Sequence, residues 1–328
     1  MDRRQHSMQL ELEDLQIQLT RNELAVRLLQ TLLDLAGAQH NVKTFDDEVT
    51  LLNKLIDSQK AKEAEIDLSN YQVRLAQADG QANLSRNLVK QKRRDLVRLG
   101  GSSTYKEEIQ FNSNVSSSVF SDFPTLDDFL SRSENESLQL RLQRIAVQIA
   151  NTSVTRSSRD SYPTVDLVAN GVITRGAPTF PHAQTAATAI GLQVNLPLSY
   201  GGSTSVLRSE AISLESRAKN DLEAQRKFIQ QGISDSYHEL QNLRTQLKTE
   251  DRLSIIYAMR NQPIQPDLGT SVEFYFASIE LEEKVTRLQA SREVHRLHRD
   301  GLMQKFRLWA ASGPLEKHHY QLISDHFR

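Results

Sequence analysis

The sequence lacks cysteine altogether, and it contains few of the residues that interrupt helices. The absence of cysteine from all 328 residues excludes disulfide bonds and thiolate metal sites. Only 13 glycines and 8 prolines are present, so few positions favour a break in a helix. No apolar run approaches the roughly 18 residues that a transmembrane helix requires. The sequence as given also begins without the apolar segment of a secretory signal peptide.

Neither sign of charge predominates, since the formal net charge is −1. With both signs interspersed, we expect no nucleic acid partner and no polybasic membrane patch. Hydrophobic residues make up only 38% of the chain, and glutamine, leucine, arginine and glutamate are abundant. This composition favours long helices in a coiled arrangement over a thick globular core.

Helical periodicity dominates the chain outside residues 163–202. In a predicted helix over residues 48–99, apolar and small side chains recur at steps of three and four, the period of a left-handed coiled coil. These positions are Leu68, Tyr71, Leu75, Ala78, Ala82, Ser85, Val89 and Leu96. An earlier helix, over residues 9–39, has an apolar face made of Leu15, Leu19, Leu24, Leu28, Leu32 and Leu35. The pattern loosens over residues 37–47, which predicts a break between these two helices.

The second half of the chain repeats this arrangement. A capped helix is predicted over residues 125–158, because Thr125 and Asp128 have the spacing of a capping box. Long helices follow over residues 203–259 and 272–311. Residues 58–100 match residues 271–313 without a gap, which indicates an internal repeat. We therefore predict a first long helical hairpin (1–100), a linker (101–124), a helix opening the second repeat (125–162), a strand hairpin (163–202), a second long helical hairpin (203–315) and a tail (316–328).

One short stretch has the period of a strand. Between residues 189 and 202, apolar side chains occupy every second position, and Gln193 and Asn195 lie between them. The apolar set is Ile190, Leu192, Val194, Leu196 and Leu198. Pro197 cannot donate to a strand ladder, so it marks the exit of the strand, and Gly201 and Gly202 form the turn into the next helix. A preceding strand that starts after Pro163 predicts an antiparallel hairpin of the transmembrane type.

Several motifs, taken in order, give the chain a resemblance to the outer-membrane efflux protein family, the TolC-like channels. The similar segments are residues 161–167, 191–202, 234–240, 268–271 and 308–315. Ser199 replaces the aromatic residue that the family usually has at the strand exit. The predicted first turn has Asp57, Ser58 and Gln59 where the family often has a glycine. The resemblance implies a mainly α fold with two coiled-coil helical hairpins and one antiparallel β-hairpin.

The resemblance also implies a function and partners. A TolC-like chain forms a homotrimer, gives four strands to one shared barrel in the outer membrane, and extends helices into the periplasm. It exports solutes passively for a tripartite efflux or type I secretion system, with a periplasmic adaptor protein and an inner-membrane pump as partners. Because this sequence offers only two strands, we expect it to be N-terminally truncated, as a fragment or through a mis-assigned start.

The same resemblance assigns the candidate site residues. Ile190, Leu192, Val194, Leu196 and Leu198 are expected to face outer membrane lipid. Asp166, Gln193 and Asn195 are expected to line the pore. Periplasmic tips are expected over residues 42–57 and 260–271, with Gly269, Thr270 and Ser271 in contact with the adaptor.

Other classes of protein fit less well. The sequence has no glycine-rich phosphate loop and no nucleophile elbow, so we expect no enzyme activity, no catalytic residues and no cofactor. The pairs His295/His298 and His318/His319 are interpreted as surface histidines and not as metal ligands. The main alternative is a structural coiled-coil protein, either a periplasmic adaptor or a filament-like rod, without channel activity.

Overall fold

The computed structural model describes residues 2–60, 68–100, 124–159, 162–175, 184–195, 203–259, 270–324 and 327. Helices account for most of these residues, and two strands form one antiparallel sheet. The helices are α1 (Asp2–Lys60), α2 (Ser69–Gly100), α3 (Leu126–Glu136), α4 (Leu138–Arg159), α5 (Ser203–Met259), α6 (Thr270–Ser312) and α7 (Lys317–Ser324). The strands are β1 (Thr164–Arg175) and β2 (Gln184–Asn195). The predicted mainly α fold with one β-hairpin is confirmed.

The first helix continues well beyond the predicted break. Residues 37–47 lie inside α1, so the predicted break there is wrong, and so is the predicted periplasmic tip over residues 42–57. Asp57, Ser58 and Gln59 are also helical. At Gly37 the absence of a Cβ atom leaves room for the side chain of Arg299 from α6. Leu35, Ala36 and Ala38 are buried beside it, so packing overrides the weak helix propensity of glycine.

Seven of the eight predicted coiled-coil positions lie in α2, but Leu68 precedes α2, so the predicted continuous helix over residues 48–99 is wrong. Ala78, Ala82, Ser85 and Leu96 are buried, and the other four predicted positions are half-buried. In α1 the buried positions differ in part from the prediction. Leu24 is 48% exposed, whereas the buried set follows heptad spacing through Leu15, Asn22, Leu29, Leu33 and Ala36. The leucine pattern pointed to the wrong face at Leu24 because a polar residue, Asn22, occupies one of the buried positions.

The helix predicted over residues 125–158 is divided at Ser137. Thr125 caps α3 with the predicted box: the backbone N–H of Asp128 donates to Thr125 Oγ1, and the backbone N–H of Thr125 donates to Asp128 Oδ2. Ser137 then leaves helical geometry at φ −57° and ψ 121°, and its N–H donates to the carbonyl of Ser133. Serine side chains compete with helical backbone hydrogen bonds, and here the Ser133 hydroxyl donates to the carbonyl of Leu130.

The chain forms two compact units, which are described separately. The first unit contains residues 1–12 and 141–225, and thus most of α4, both strands and the start of α5. The second unit contains residues 13–140 and 226–328, and thus most of α1, all of α2, α3, α6 and α7, and the rest of α5.

Three helices of the second unit share an apolar cluster. Leu52 and Leu55 of α1, Ala78 of α2, and Leu281 and Val285 of α6 are all buried in it. Burial of side chains of this size stabilises the packing by roughly 1.5–3 kcal/mol for each large aliphatic residue. The cluster therefore holds α1, α2 and α6 together.

A buried carboxylate joins the same three helices. Glu48 of α1 lies 2.9 Å from a guanidinium nitrogen of Arg292 on α6 and 3.8 Å from Arg74 Nε on α2. Arg292 also stacks on the ring of Phe45, with its central carbon 4.1 Å from the ring centroid. Because the Glu48 carboxylate pairs with two cations, it favours the rotation of each helix about its axis that brings these three side chains together.

The gapless repeat alignment is wrong at its start. Residues 58–60 end α1, the first helix of its pair, whereas residues 271–273 begin α6, the second helix of its pair. The second helices of the two pairs begin at Ser69 and Thr270, which are non-equivalent positions of the alignment. At the other end, α2 ends at Gly100 and α6 ends at Ser312, one residue before Gly313.

Candidate functional site

The two strands pair over their full length in one register. Thr164 lies opposite Asn195, and Arg175 lies opposite Gln184, with ten pairs between them. Residues directly opposite each other in an antiparallel pair lie on the same face of the sheet. The register therefore decides which side chains of β1 join each face of β2.

One face of the hairpin is apolar and exposed. The pairs Val165–Val194, Leu167–Leu192 and Ala169–Ile190 place apolar side chains of both strands together. The five larger members of this set are between 63% and 78% exposed: Val165, Leu167, Ile190, Leu192 and Val194. We call these five residues the apolar strand face. The structure thus brings together three of the predicted lipid-facing residues and adds two from β1.

The other face carries the predicted pore-lining residues. Asp166 lies directly opposite Gln193, and both side chains are exposed. Asn195 is the last residue of β2 and pairs with Thr164. On the same face Val168 lies opposite Gly191. Polar and apolar positions therefore alternate over the half of the hairpin where Asp166 and Gln193 lie, as the sequence predicts.

The structure describes only some of the remaining predicted site residues. Leu196, Pro197, Leu198, Gly201, Gly202 and Gly269 lie outside the described residues. Thr270 and Ser271 are the first two residues of α6. Their proposed contact with an adaptor protein stays a prediction.

The apolar strand face has a physical consequence. A single two-stranded hairpin is marginally stable in water, and an exposed contiguous apolar patch marks a surface that another molecule or a membrane covers. At about 3.3 Å per residue, the 12 residues of each strand extend about 40 Å. Tilted by about 45°, such a strand crosses about 28 Å, close to the roughly 30 Å of a bilayer core.

His295 is buried and His40 is half-buried between α1 and α6, contrary to the surface position predicted for His295. The rings of His40 and His295 stack with their centroids 4.2 Å apart and their planes within 4°. Burial lowers the pKa of His295 to about 3, and the neighbouring His40 and Arg299 act in the same direction. Burial likewise lowers the pKa of His40. Both rings are therefore neutral at pH 7.

Two further histidines are also buried. His298 is 4% exposed and His319 is 1% exposed, so the surface prediction is wrong for both and fits only His318. Burial lowers the pKa of His319 to about 4, and its ring lies 4.6 Å from that of Trp309. Within the part of the chain that the structure describes, no three acidic or histidine side chains are grouped to hold a metal ion. None of the described helices contains an apolar stretch long enough to cross a membrane.

Two kinds of residue at these sites are not among the predicted site residues. Val165 and Leu167 belong to the apolar strand face, and their alternation with Thr164 and Asp166 was a usable signal once the register was known. Asn22 is buried and binds the chain after α6: its Nδ2 donates to the carbonyl of Gly313 at 3.0 Å, and the N–H of Leu315 donates to its Oδ1 at 3.2 Å. No local pattern identifies that contact, because its partners lie 291 and 293 residues away.

Comparison with known proteins identifies the class of fold. The sequence matches no protein-family model and no curated protein. Its structure is similar to that of VceC, an outer membrane protein of Vibrio cholerae, with a TM-score of 0.74 and 17% identity over 94% of this chain and 74% of VceC. It is also similar to CusC, with a TM-score of 0.77 and 12% identity over 94% of this chain and 72% of CusC.

A third similar structure is the MtrE outer membrane channel of Neisseria gonorrhoeae. The TM-score is 0.75, with 10% identity over 93% of this chain and 69% of MtrE. At such identities the likeness establishes the fold. The chain therefore has a TolC-like fold, as the order of its motifs predicts.

Proposed function

We propose that this chain is a subunit of an outer-membrane channel for efflux. The observation that carries the proposal is the apolar strand face, because five large apolar side chains lie exposed on a hairpin of membrane-spanning length. Lipid is a natural cover for such a face. Its opposite face holds Asp166 and Gln193, which suit contact with water. The solved channels of similar fold support the same function.

In this proposal the channel is passive, and the chain acts as a homotrimer. Only closed barrels and helices satisfy all backbone hydrogen bonds in lipid, so the hairpin joins strands of other copies in a shared barrel. The long helices extend into the periplasm. A periplasmic adaptor contacts the tip around Gly269, Thr270 and Ser271, and connects the channel to an inner-membrane pump of a tripartite efflux or type I secretion system.

The test combines assembly with conductance. The purified chain is measured in detergent by light scattering and then added to planar lipid bilayers. We expect a protein mass of three chains and stepwise increases in conductance. A monomer that stays soluble without detergent and leaves the bilayer silent would contradict the proposal, and would favour the structural coiled-coil alternative.

A further inference from the structure

A groove between α1 and α2 has the chemistry of a binding site for small anions. We call it the α1–α2 groove; Gln39, Val42 and Lys43 line it from α1, and Val89, Lys90 and Arg93 line it from α2. We propose that it binds a small organic anion with a carboxylate or phosphate group beside a hydroxyl group and a short aliphatic body. The site lies in the second unit and does not depend on the channel function.

The groove carries unbalanced positive charge. Lys43, Lys90 and Arg93 all line the groove, and none of them has an ion-pair partner among the residues that the structure describes. Lys43 and Lys90 are exposed, and Arg93 is half-buried. These three cations lie on two facing helices, so an anion in the groove is attracted from both sides.

The acidic residues of the groove do not neutralise it. Asp46 is already paired with Arg86, its Oδ1 lying 2.5 Å from an arginine Nη2. Asp47 is exposed at the same wall. Four basic and two acidic side chains line the groove, which leaves a formal excess of two positive charges. An anionic ligand therefore gains net attraction.

Two buried polar atoms of groove residues lack hydrogen-bond partners. Arg93 Nε is buried without an acceptor, and Gln39 Oε1 is buried without a donor. Such atoms are rare in folded proteins because each loses its hydration without recovering a hydrogen bond. A ligand that accepts from Arg93 and donates to Gln39 satisfies both atoms at once. A carboxylate or phosphate beside a hydroxyl group has this combination.

The groove also has the size and lining of a small-molecule site. Its volume is about 640 Å³, which lies within the range of roughly 300–1,000 Å³ typical of small-molecule sites. Val42 and Val89 supply an aliphatic surface between the cations. This mixture suits an anion with a short alkyl chain better than inorganic phosphate alone.

Calorimetric titration of the full chain in detergent tests the proposal with 2-hydroxyhexanoate as the probe. The matched neutral compound is hexane-1,2-diol, and inorganic phosphate tests charge without an alkyl body. We expect 2-hydroxyhexanoate to bind at least tenfold more tightly than either compound. Equal binding of the diol, or no binding of 2-hydroxyhexanoate, overturns the proposal.

Two arginine variants localise the binding. Arg93→Gln removes one of the groove cations, and Arg94→Gln removes the same charge from an exposed neighbour that does not line the groove. We expect Arg93→Gln to weaken binding at least tenfold and Arg94→Gln to leave it within twofold of wild type. Should Arg93→Gln fail to fold, the exposed Lys90→Gln replaces it, with an expected loss of threefold or more. Equal effects of the groove and control variants overturn the assignment.

Discussion

At the scale of the residue, buried polar side chains decide how the described helices meet. Glu48 joins Arg74 and Arg292 across three helices, and Asn22 connects α1 to the segment after α6. Glu48 and Asn22 are polar, so a search for apolar residues at helical spacing does not identify them as buried. A buried polar side chain favours one arrangement of the helices, because leaving its hydrogen-bond partner unpaired costs more free energy than the hydrogen bond contributes.

Asn22 gives a direct test of this specificity. Asn22→Ala leaves the carbonyl of Gly313 and the N–H of Leu315 without their side-chain partners. We expect a loss of about 2 kcal/mol or more in the free energy of unfolding, measured by denaturant titration in detergent. Asn53→Ala, an exposed position of the same helix, is the control and should change stability by less than about 0.5 kcal/mol. Equal losses in the two variants would contradict the role of Asn22.

His295 makes the stability of the second unit depend on pH. Because burial lowers its pKa to about 3, the folded state keeps the ring neutral while the unfolded chain protonates near pH 6.5. The stabilisation is therefore present above about pH 6.5 and is lost as the pH falls toward 3. Between pH 7 and pH 5 the loss is on the order of 2 kcal/mol.

The measurement compares thermal unfolding of wild type and His295→Gln at pH 7 and pH 5. The variant lacks this titrating group, so its stability should fall less on acidification than that of wild type. His319, with a pKa of about 4, contributes to both proteins alike and cancels in the comparison. An identical pH response of the two proteins would show that His295 titrates normally.

At the scale of the element, the hairpin has two chemically different faces. The register of β1 on β2 groups Val165, Leu167, Ile190, Leu192 and Val194 on one face. Asp166 and Gln193 lie opposite each other on the other. Because side chains alternate along a strand, a shift of one residue in register would mix these sets. The hairpin is therefore the element in which the predicted function is most directly encoded.

Adjacent residues of β2 test which face meets lipid. Val194→Arg should cost on the order of 2–4 kcal/mol of stability in the membrane if the residue lies near the bilayer midplane. Gln193→Arg places the same charge one residue away on the opposite face and should cost little. Both are measured by unfolding from lipid vesicles. Equal losses would mean that the two faces do not differ in their contact with lipid.

At the scale of the whole molecule, the proposed channel makes the charge of Asp166 observable. Asp166 is exposed, and in the proposed pore each copy would contribute this carboxylate to the lumen. Asp166→Lys should therefore shift the reversal potential in a salt gradient toward anion selectivity, since fixed charges in a pore attract ions of opposite sign. Asp166→Glu keeps the charge and should leave the reversal potential unchanged. If the lysine variant conducts with wild-type selectivity, Asp166 does not line the pore.

Local periodicity determined much of this architecture from the sequence alone. A period of two identified the strand at Ile190, Leu192 and Val194, and a period of 3.5 identified the buried positions Ala78 and Ala82 of α2. These patterns identify buried or exposed faces because, in a regular helix or strand, the spacing of residues decides which side chains lie on the same face. The capping box at Thr125 was equally local.

The tertiary structure alone decided where that regularity is overridden. Arg299 lies close against Gly37, His295 is buried against His40, and Asn22 is buried against Gly313. Each of these pairs is separated by more than 250 residues in the sequence. Spacing within one helix carries no information about such partners, because burial is a property of two surfaces that meet only in the folded chain.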